Sequence, residues 1–274
     1  MKYPFLKYSG AGNDFVTFDT RLDHPEPDAE TVRRLCDRHF GIGADGVMWI
    51  AGHQGDAAFR MIYYNADGSR AEMCGNGARC LTAAAKRQWN IPSEGTFEAD
   101  DGLHRYRFER DQVWVEILGE PVMESIDIEG RSGAVIDTGP PHLVLPIESF
   151  DVVDLDDLGA SLNADPRFPR GTNTNFLVRD GSTIRVRTWE RGVNAQTLAC
   201  GTGATACAHY LASTTSQDWP CHMEFPGGRL TIDQRDNGYW LTGPTRLVFT
   251  GSIEPDLTGS SSRNIRGKPE RMTG

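Results

Sequence analysis

Two cysteines of this 274-residue chain open the same short pattern: Cys74-Gly75-Asn76-Gly77-Ala78 and, 126 residues later, Cys200-Gly201-Thr202-Gly203-Ala204. Each follows a strand-like run, Phe59 to Asn65 and Ile184 to Glu190, and each leads into small residues that read as a helix. The first-turn amides of such a helix are unpaired and carry positive partial charge, so they favour thiolate and draw a cysteine pKa from about 8.5 toward neutrality. The same amides can hold a carboxylate, and the glycine after each cysteine leaves the approach open. Two such turns facing one cleft would set a thiolate base and a thiol acid on opposite faces of a single carbon. That arrangement inverts a stereocentre, with the carbanion stabilised by amides aimed at its carboxylate and by exclusion of water. Packing accounts for any single buried cysteine but not for the same tetrad twice, so Cys36, Cys80, Cys207 and Cys221 are read as packing thiols.

The elements that must position the two turns follow from the repeat. An offset of about one domain implies two related halves facing each other across a pseudo-twofold axis. Asp180-Gly181 and Asn237-Gly238 each separate two extended runs and signal hairpins. Asp28 is expected to cap a helix with Val32, Leu35, Cys36 and Phe40 on one stripe. The fold class is therefore α+β, with two sheets each served by a helix, a boundary near Gly119-Glu120-Pro121, and a flexible tail over 255–274.

Composition excludes other functions. The longest apolar run, Val47 to Ala51, is far too short to span a bilayer, and the first residues carry no secretory h-region, so no membrane and a cytoplasmic address are expected. A net charge of −10 without a basic stripe argues against nucleic acid. Four lysines against 24 arginines leave few candidates for a pyridoxal Schiff base. There is no C-x-x-C pair and no histidine at zinc-ligand spacing, so no metal site is expected. Gly41-Ile42-Gly43-Ala44-Asp45-Gly46 fits G-x-G-x-x-G, yet it follows a helical stretch and precedes a strand, the reverse of a dinucleotide site, and is read as a turn.

Several separated segments, taken in order, resemble the diaminopimelate epimerase family: Ser9 to Phe15 (Ser-Gly-Ala-Gly-Asn-Asp-Phe), Gly41 to Gly46, Tyr64 to Ser69, Met73 to Cys80, Trp189 to Gly192 and Ala199 to Ala204. The resemblance runs from about residue 3 to about residue 253. It implies two similar domains, each a mixed sheet around a central helix, with the active site in the cleft between them. One half would cover 1–119 and be joined by a returning strand near 246–254; the other would cover 120–245. It also implies a cofactor-independent isomerase that interconverts LL- and meso-diaminopimelate in lysine and peptidoglycan synthesis, and leaves open a homodimer. Cys74 and Cys200 would be the acid/base pair, and the amides of Gly75, Asn76, Gly201 and Thr202 would bind the carboxylate at the reacting centre. Asn13, Asn65, Asn173, Glu190 and Arg191 match the residues that read the distal amino-acid end, where Arg191 can fork onto a carboxylate and Glu190 can accept from an ammonium. His142 carries over as a supporting residue. Two departures stand out: Pro140 replaces the asparagine often found two residues before that histidine, and Gln196 replaces a glutamate frequent before the second cysteine. The alternatives are a two-thiol racemase of proline or histidine, for which Glu190 and Arg191 would lack a distal partner, and a silent binding protein or nucleotide-dependent oxidoreductase.

Overall fold

The unbroken apolar run at Val47 to Ala51 has a structural reason in the computed structural model, which describes residues 2–22, 28–53, 55–236 and 238–254. The strand it belongs to is covered on both faces, so both sets of alternating side chains are buried. Val47 and Trp49 pack on one side, Met48 and Ile50 on the other.

The chain forms one order of elements twice. The first pass runs β1 (Tyr3–Gly10), β2 (Asn13–Asp19), α1 (Ala29–Cys36), β3 (Gly46–Ala51), β4 (Phe59–Asn65), β5 (Arg70–Ala71), α2 (Gly75–Trp89), β6 (Glu94–Ala99), β7 (Gly102–Glu109), β8 (Gln112–Ile117) and β9 (Val122–Ile128). The second runs β10 (Arg131–Asp137), β11 (Pro141–Pro146), α3 (Leu155–Asn163), β12 (Asn173–Asp180), β13 (Thr183–Glu190), β14 (Ala195–Thr197), α4 (Gly201–Thr214), β15 (Cys221–Phe225), β16 (Gly228–Arg235), β17 (Gly238–Thr242) and β18 (Thr245–Ile253). Pairing repeats as well. The parallel pairs β2–β3 and β4–β6 recur as β11–β12 and β13–β15, set among antiparallel neighbours. The last strand of each pass crosses over: β9 pairs with β10, and β18 returns to β1. The two mixed sheets join where β8 meets β17 antiparallel, with Val115 opposite Leu241. Those two residues are separated by the same interval as Cys74 and Cys200, so their pairing lies on the pseudo-twofold axis.

Each half has an inner and an outer helix. α2 and α4 contribute Ala78, Cys80, Leu81, Ala84 and Ala204, Ala206, Cys207, Leu211 to one core shared by both halves. Their small residues let the surrounding strands approach closely. α1 covers Val16, Phe18, Val47 and Trp49 on the outside of one sheet, and α3 covers Leu143, Leu145, Phe176 and Trp189 on the outside of the other. Among the described residues no helix is long and apolar enough to cross a membrane.

The helices also differ at their starts. The outer pair carry aspartate caps: Asp28 accepts from the Thr31 amide, and Asp154 from those of Asp156 and Asp157. Such caps stabilise by about 1 kcal/mol each. The inner helices have cysteine in that place; Cys74 closes no capping bond, and Cys200 takes a single amide, Gly203 N at 3.4 Å. They leave amides free that a better cap would occupy.

One sequence expectation fails here. Phe40 is not on the α1 stripe: the helix ends at Cys36, the Asp37 carboxylate takes the amides of His39 and Phe40, and Phe40 is 90% exposed. The Asp180-Gly181 hairpin forms as read, with Gly181 at φ +59°. Residues 41–45 lie in the turn between α1 and β3, and Gly46 opens the strand. Asn237 and the 255–274 tail lie outside the described residues.

Candidate active site

The two cysteine turns meet almost backbone to backbone. A Cβ added to Gly201 would lie 3.5 Å from Gly75 Cα and 4.0 Å from Asn76 N, and one added to Gly75 would lie 3.8 Å from Gly201 Cα. Leu241, on the axis, supports both: its Cδ2 would be 2.7 Å from a Gly75 Cβ and 2.8 Å from a Gly201 Cβ. A Cβ at either place would press on the Leu241 side chain and bring the opposite backbone into van der Waals contact. Cys74 and Cys200 are each half-buried, whereas the other four cysteines are buried and packed, as their spacing suggested.

The expectation of thiols drawn toward neutrality is not met in this state. Burial pushes both Cys74 and Cys200 up, and the Glu190 carboxylate adds to the effect on each. The helix does act in the predicted sense, through Gly77 and Asn76 on Cys74 and through Gly203 and the Thr202 hydroxyl on Cys200. Desolvation is the larger effect on both.

Around Cys200 the support is an uncharged relay. Asn175 Nδ2 faces three acceptors, His142 Nδ1 at 3.1 Å and the carbonyls of Leu143 and Asn173, while its Oδ1 accepts from Thr188 Oγ1 at 2.9 Å. That set of partners fixes the amide, so Nδ1 accepts and the ring proton sits on Nε2. His142 Nε2 therefore donates to Thr202 Oγ1, 3.0 Å away, and leaves the hydroxyl proton free for Cys200 Sγ at 3.5 Å. Burial, together with the charge of Arg191, lowers the His142 pKa to about 3, so the ring is neutral.

Around Cys74 the support is polar and spans both halves. Asn76 Nδ2 donates to Asn13 Oδ1 at 2.7 Å and to the Ala199 carbonyl at 3.1 Å, and Asn13 passes its own amide to Asp45. Arg79 holds Asn76 Oδ1 from behind. Asn65 accepts from the Tyr63 hydroxyl and donates to Ser69.

The remaining candidates cluster at the end of β13. Asn173 Oδ1 accepts from the Arg191 amide, Arg191 Nη1 donates to the Arg170 carbonyl at 2.7 Å, and Glu190 accepts from Thr197 Oγ1 at 2.6 Å. Burial raises the Glu190 pKa, while Thr197 and the Cys200 thiol pull it down. Gln196 points away to Asp156 of α3, so this departure does not enter the site. Pro140 lies in the turn before β11, where its carbonyl accepts from the Thr138 amide.

Sequence reasoning missed Asp45, Arg79, Asn175, Thr188 and Leu241. Arg79 had a signal, being the only charged residue among the small ones from Gly75 to Ala85. Asn175 and Thr188 had none, since each occupies an ordinary inward position of a strand.

Comparison with known proteins agrees with the geometry. The family model described as diaminopimelate epimerase matches residues 5–124 and 134–248. The chain is 37% identical to the diaminopimelate epimerase of Rippkaea orientalis (strain PCC 8801 / RF-1), covering 92% of this chain and 99% of that one. It is 36% identical to that of Alkalilimnicola ehrlichii, covering 93% and 100%. Among solved structures it resembles a Bacillus anthracis phenazine biosynthesis protein of the PhzF family, at a TM-score of 0.73 and 14% identity over 93% of this chain and 99% of that one. It also resembles a hydroxyproline epimerase from Agrobacterium vitis, at 0.66 and 14% over 94% and 95%. At those identities the likeness is one of fold.

Proposed function

Since the chain belongs to the diaminopimelate epimerase family, we propose that it inverts one α-carbon of diaminopimelate, interconverting the LL and meso forms, with Cys74 and Cys200 as the proton-transfer pair. It is an isomerase. The observation that carries the assignment of the pair is the meeting of two cysteine-capped helix starts at Gly75 and Gly201. The α-carboxylate lies on the amides of Gly75, Asn76, Gly201 and Thr202, where two helix ends add their partial charges. One sulfur, as thiolate, takes the α-proton, and the C–H pair moves into the carboxylate. The opposite thiol then delivers its proton to the other face, so the ionisation of the pair is exchanged after each turnover. Oriented amides stabilise the intermediate charge in a site that excludes water. Asn13, Asn65, Asn173, Glu190 and Arg191 read the distal amino acid, and His142 acts through Thr202.

Incubation with LL-diaminopimelate in heavy water tests the reading. Meso product should appear with one deuterium at the inverted carbon, while L-proline and L-histidine stay unexchanged. Exchange of proline with none of diaminopimelate would transfer the site to a racemase. The chemistry fits the cytoplasm, with neither membrane nor nucleic acid as partner. A homodimer is part of the same proposal, supported by Val248 and Phe249 standing 44% and 45% exposed on β18. Sedimentation at micromolar concentration reads it directly.

A further inference from the structure

Arg79 is fully buried within α2, one turn from Cys74. Its Nη1 donates to the Gly75 carbonyl at 3.2 Å and its Nη2 to Asn76 Oδ1 at 2.9 Å, while Nε has no partner. Among the described residues, the titratable groups acting on it are the thiols of Cys80 and Cys74. Three things oppose a cation at this place: desolvation, the positive end of the helix, and the lack of a carboxylate partner among the described residues. Burial lowers its pKa to about 10, which still leaves it charged at neutral pH. The corresponding residue of α4 is Thr205, whose hydroxyl merely donates to the Gly201 carbonyl. The charge therefore belongs to one arm of the repeat only.

We propose that Arg79 is a positioning residue of the reaction, whose unpaired charge is balanced when negative charge arrives as the substrate carboxylate and the Cys74 thiolate. This rests on the two-thiol reading above and deepens it. The same side chain, by holding Asn76 Oδ1, turns Asn76 Nδ2 toward Ala199 and Asn13 and so ties the Cys74 turn to the residue before Cys200. The groups facing Cys74 are Glu190 from β13, Tyr63 from β4, Cys200 from α4, and Cys80 and Arg79 from its own helix. Of these Arg79 alone is cationic, and its charge adds to the pull of the Gly77 and Asn76 amides toward a Cys74 thiolate.

The test compares full-length wild type, Arg79→Met and Arg79→Lys. Three quantities are read: kcat and KM for diaminopimelate, the pH profile of kcat/KM, and the pH dependence of iodoacetamide alkylation at Cys74 and Cys200, resolved by peptide mass spectrometry. In Arg79→Met, kcat should fall on the order of 10²-fold, as for loss of one preorganised electrostatic group. Its Cys74 alkylation midpoint should rise by about one pH unit, the low end for loss of an adjacent opposite charge, and Cys200 should move less. Arg79→Lys should keep the wild-type Cys74 midpoint and recover part of kcat. An Arg79→Met enzyme with wild-type kcat and an unmoved Cys74 midpoint overturns the proposal, as does a kcat loss with both midpoints fixed and no recovery by lysine. If the methionine variant does not fold, the lysine variant decides: a Cys74 midpoint that rises despite the retained charge refutes the electrostatic role. Wild type that fails to exchange the α-proton of diaminopimelate refutes the underlying reading instead, and the alkylation profiles tell the two failures apart.

Discussion

At the start of α2 the cysteine is backed by a buried guanidinium and an asparagine that reaches into the opposite half; at the start of α4 the same place is backed by Thr202, His142, Asn175 and Thr188, none of them charged. The backbone repeats, down to the register of β8 on β17, but the side chains behind the two sulfurs do not. A symmetric frame suits a reaction whose two proton transfers are mirror images. The α-carbon itself carries a carboxylate, an ammonium and a side chain, so identical surroundings at both sulfurs would suit neither face. On the proposed reading the repeat supplies the two arms, and the unequal supports fit them to an asymmetric ligand.

The largest effect should come from removing either arm. Cys74→Ser and Cys200→Ser should each lower epimerisation by about 10³-fold or more, because serine does not ionise usefully near neutral pH and one face loses its proton-transfer group. Measured with LL substrate by chiral chromatography, residual activity of a tenth or more in either variant would mean that the arms are not partners. Cutting the relay is the sharper probe. Thr202→Val removes the hydroxyl between His142 and Cys200 and should cost roughly thirty-fold in kcat, near the worth of one hydrogen bond to a developing charge. Alkylation should become harder at Cys200 and stay unchanged at Cys74, and equal change at both would erase the distinction drawn here.

Arg191→Lys should raise KM about tenfold, since a point charge does not reproduce a planar fork. The side chain is exposed, so the melting temperature should hold; a calorimetric drop of many degrees would make Arg191 structural. The smallest effect concerns acid stability. His142 is held at about 3 against an ordinary 6.5, so the unfolded chain binds its proton first. Its contribution is complete above pH 6.5 and is lost as pH falls toward 3, at no more than about 1.4 kcal/mol per unit. His209, also lowered by burial, titrates in the same direction, so urea melts of wild type and His142→Gln must be compared. Between pH 6.5 and 4.5 the wild type should lose stability faster than the variant, and parallel slopes would contradict the buried neutral ring.

The paired cysteine turns were legible because a tetrad occurring twice needs no contact map to be noticed. The supports were not, because Asn175 and Thr188 become neighbours of His142 only through strand pairing, and an inward polar residue on a strand reads like any other. The thiol pKa was misjudged for a related reason: the free amides of a helix start can be read from Cys-Gly-x-Gly, but the depth at which two such starts bury each other cannot. Phe40 shows the converse, a periodic pattern that continued past a helix already ended by the side chain of Asp37.

The exchange of final strands bears on how the chain comes off the ribosome. β1 precedes every other described strand, yet one of its neighbours, β18, follows all of them, with Tyr3 opposite Ile253. Until β18 emerges, the older half presents an open strand edge, the kind of surface that recruits other chains. Such distant pairing makes for slow closure. The first half therefore waits, incompletely edged, until the other strands of the second pass have been made, and a chain interrupted before Thr245 would carry that open edge permanently.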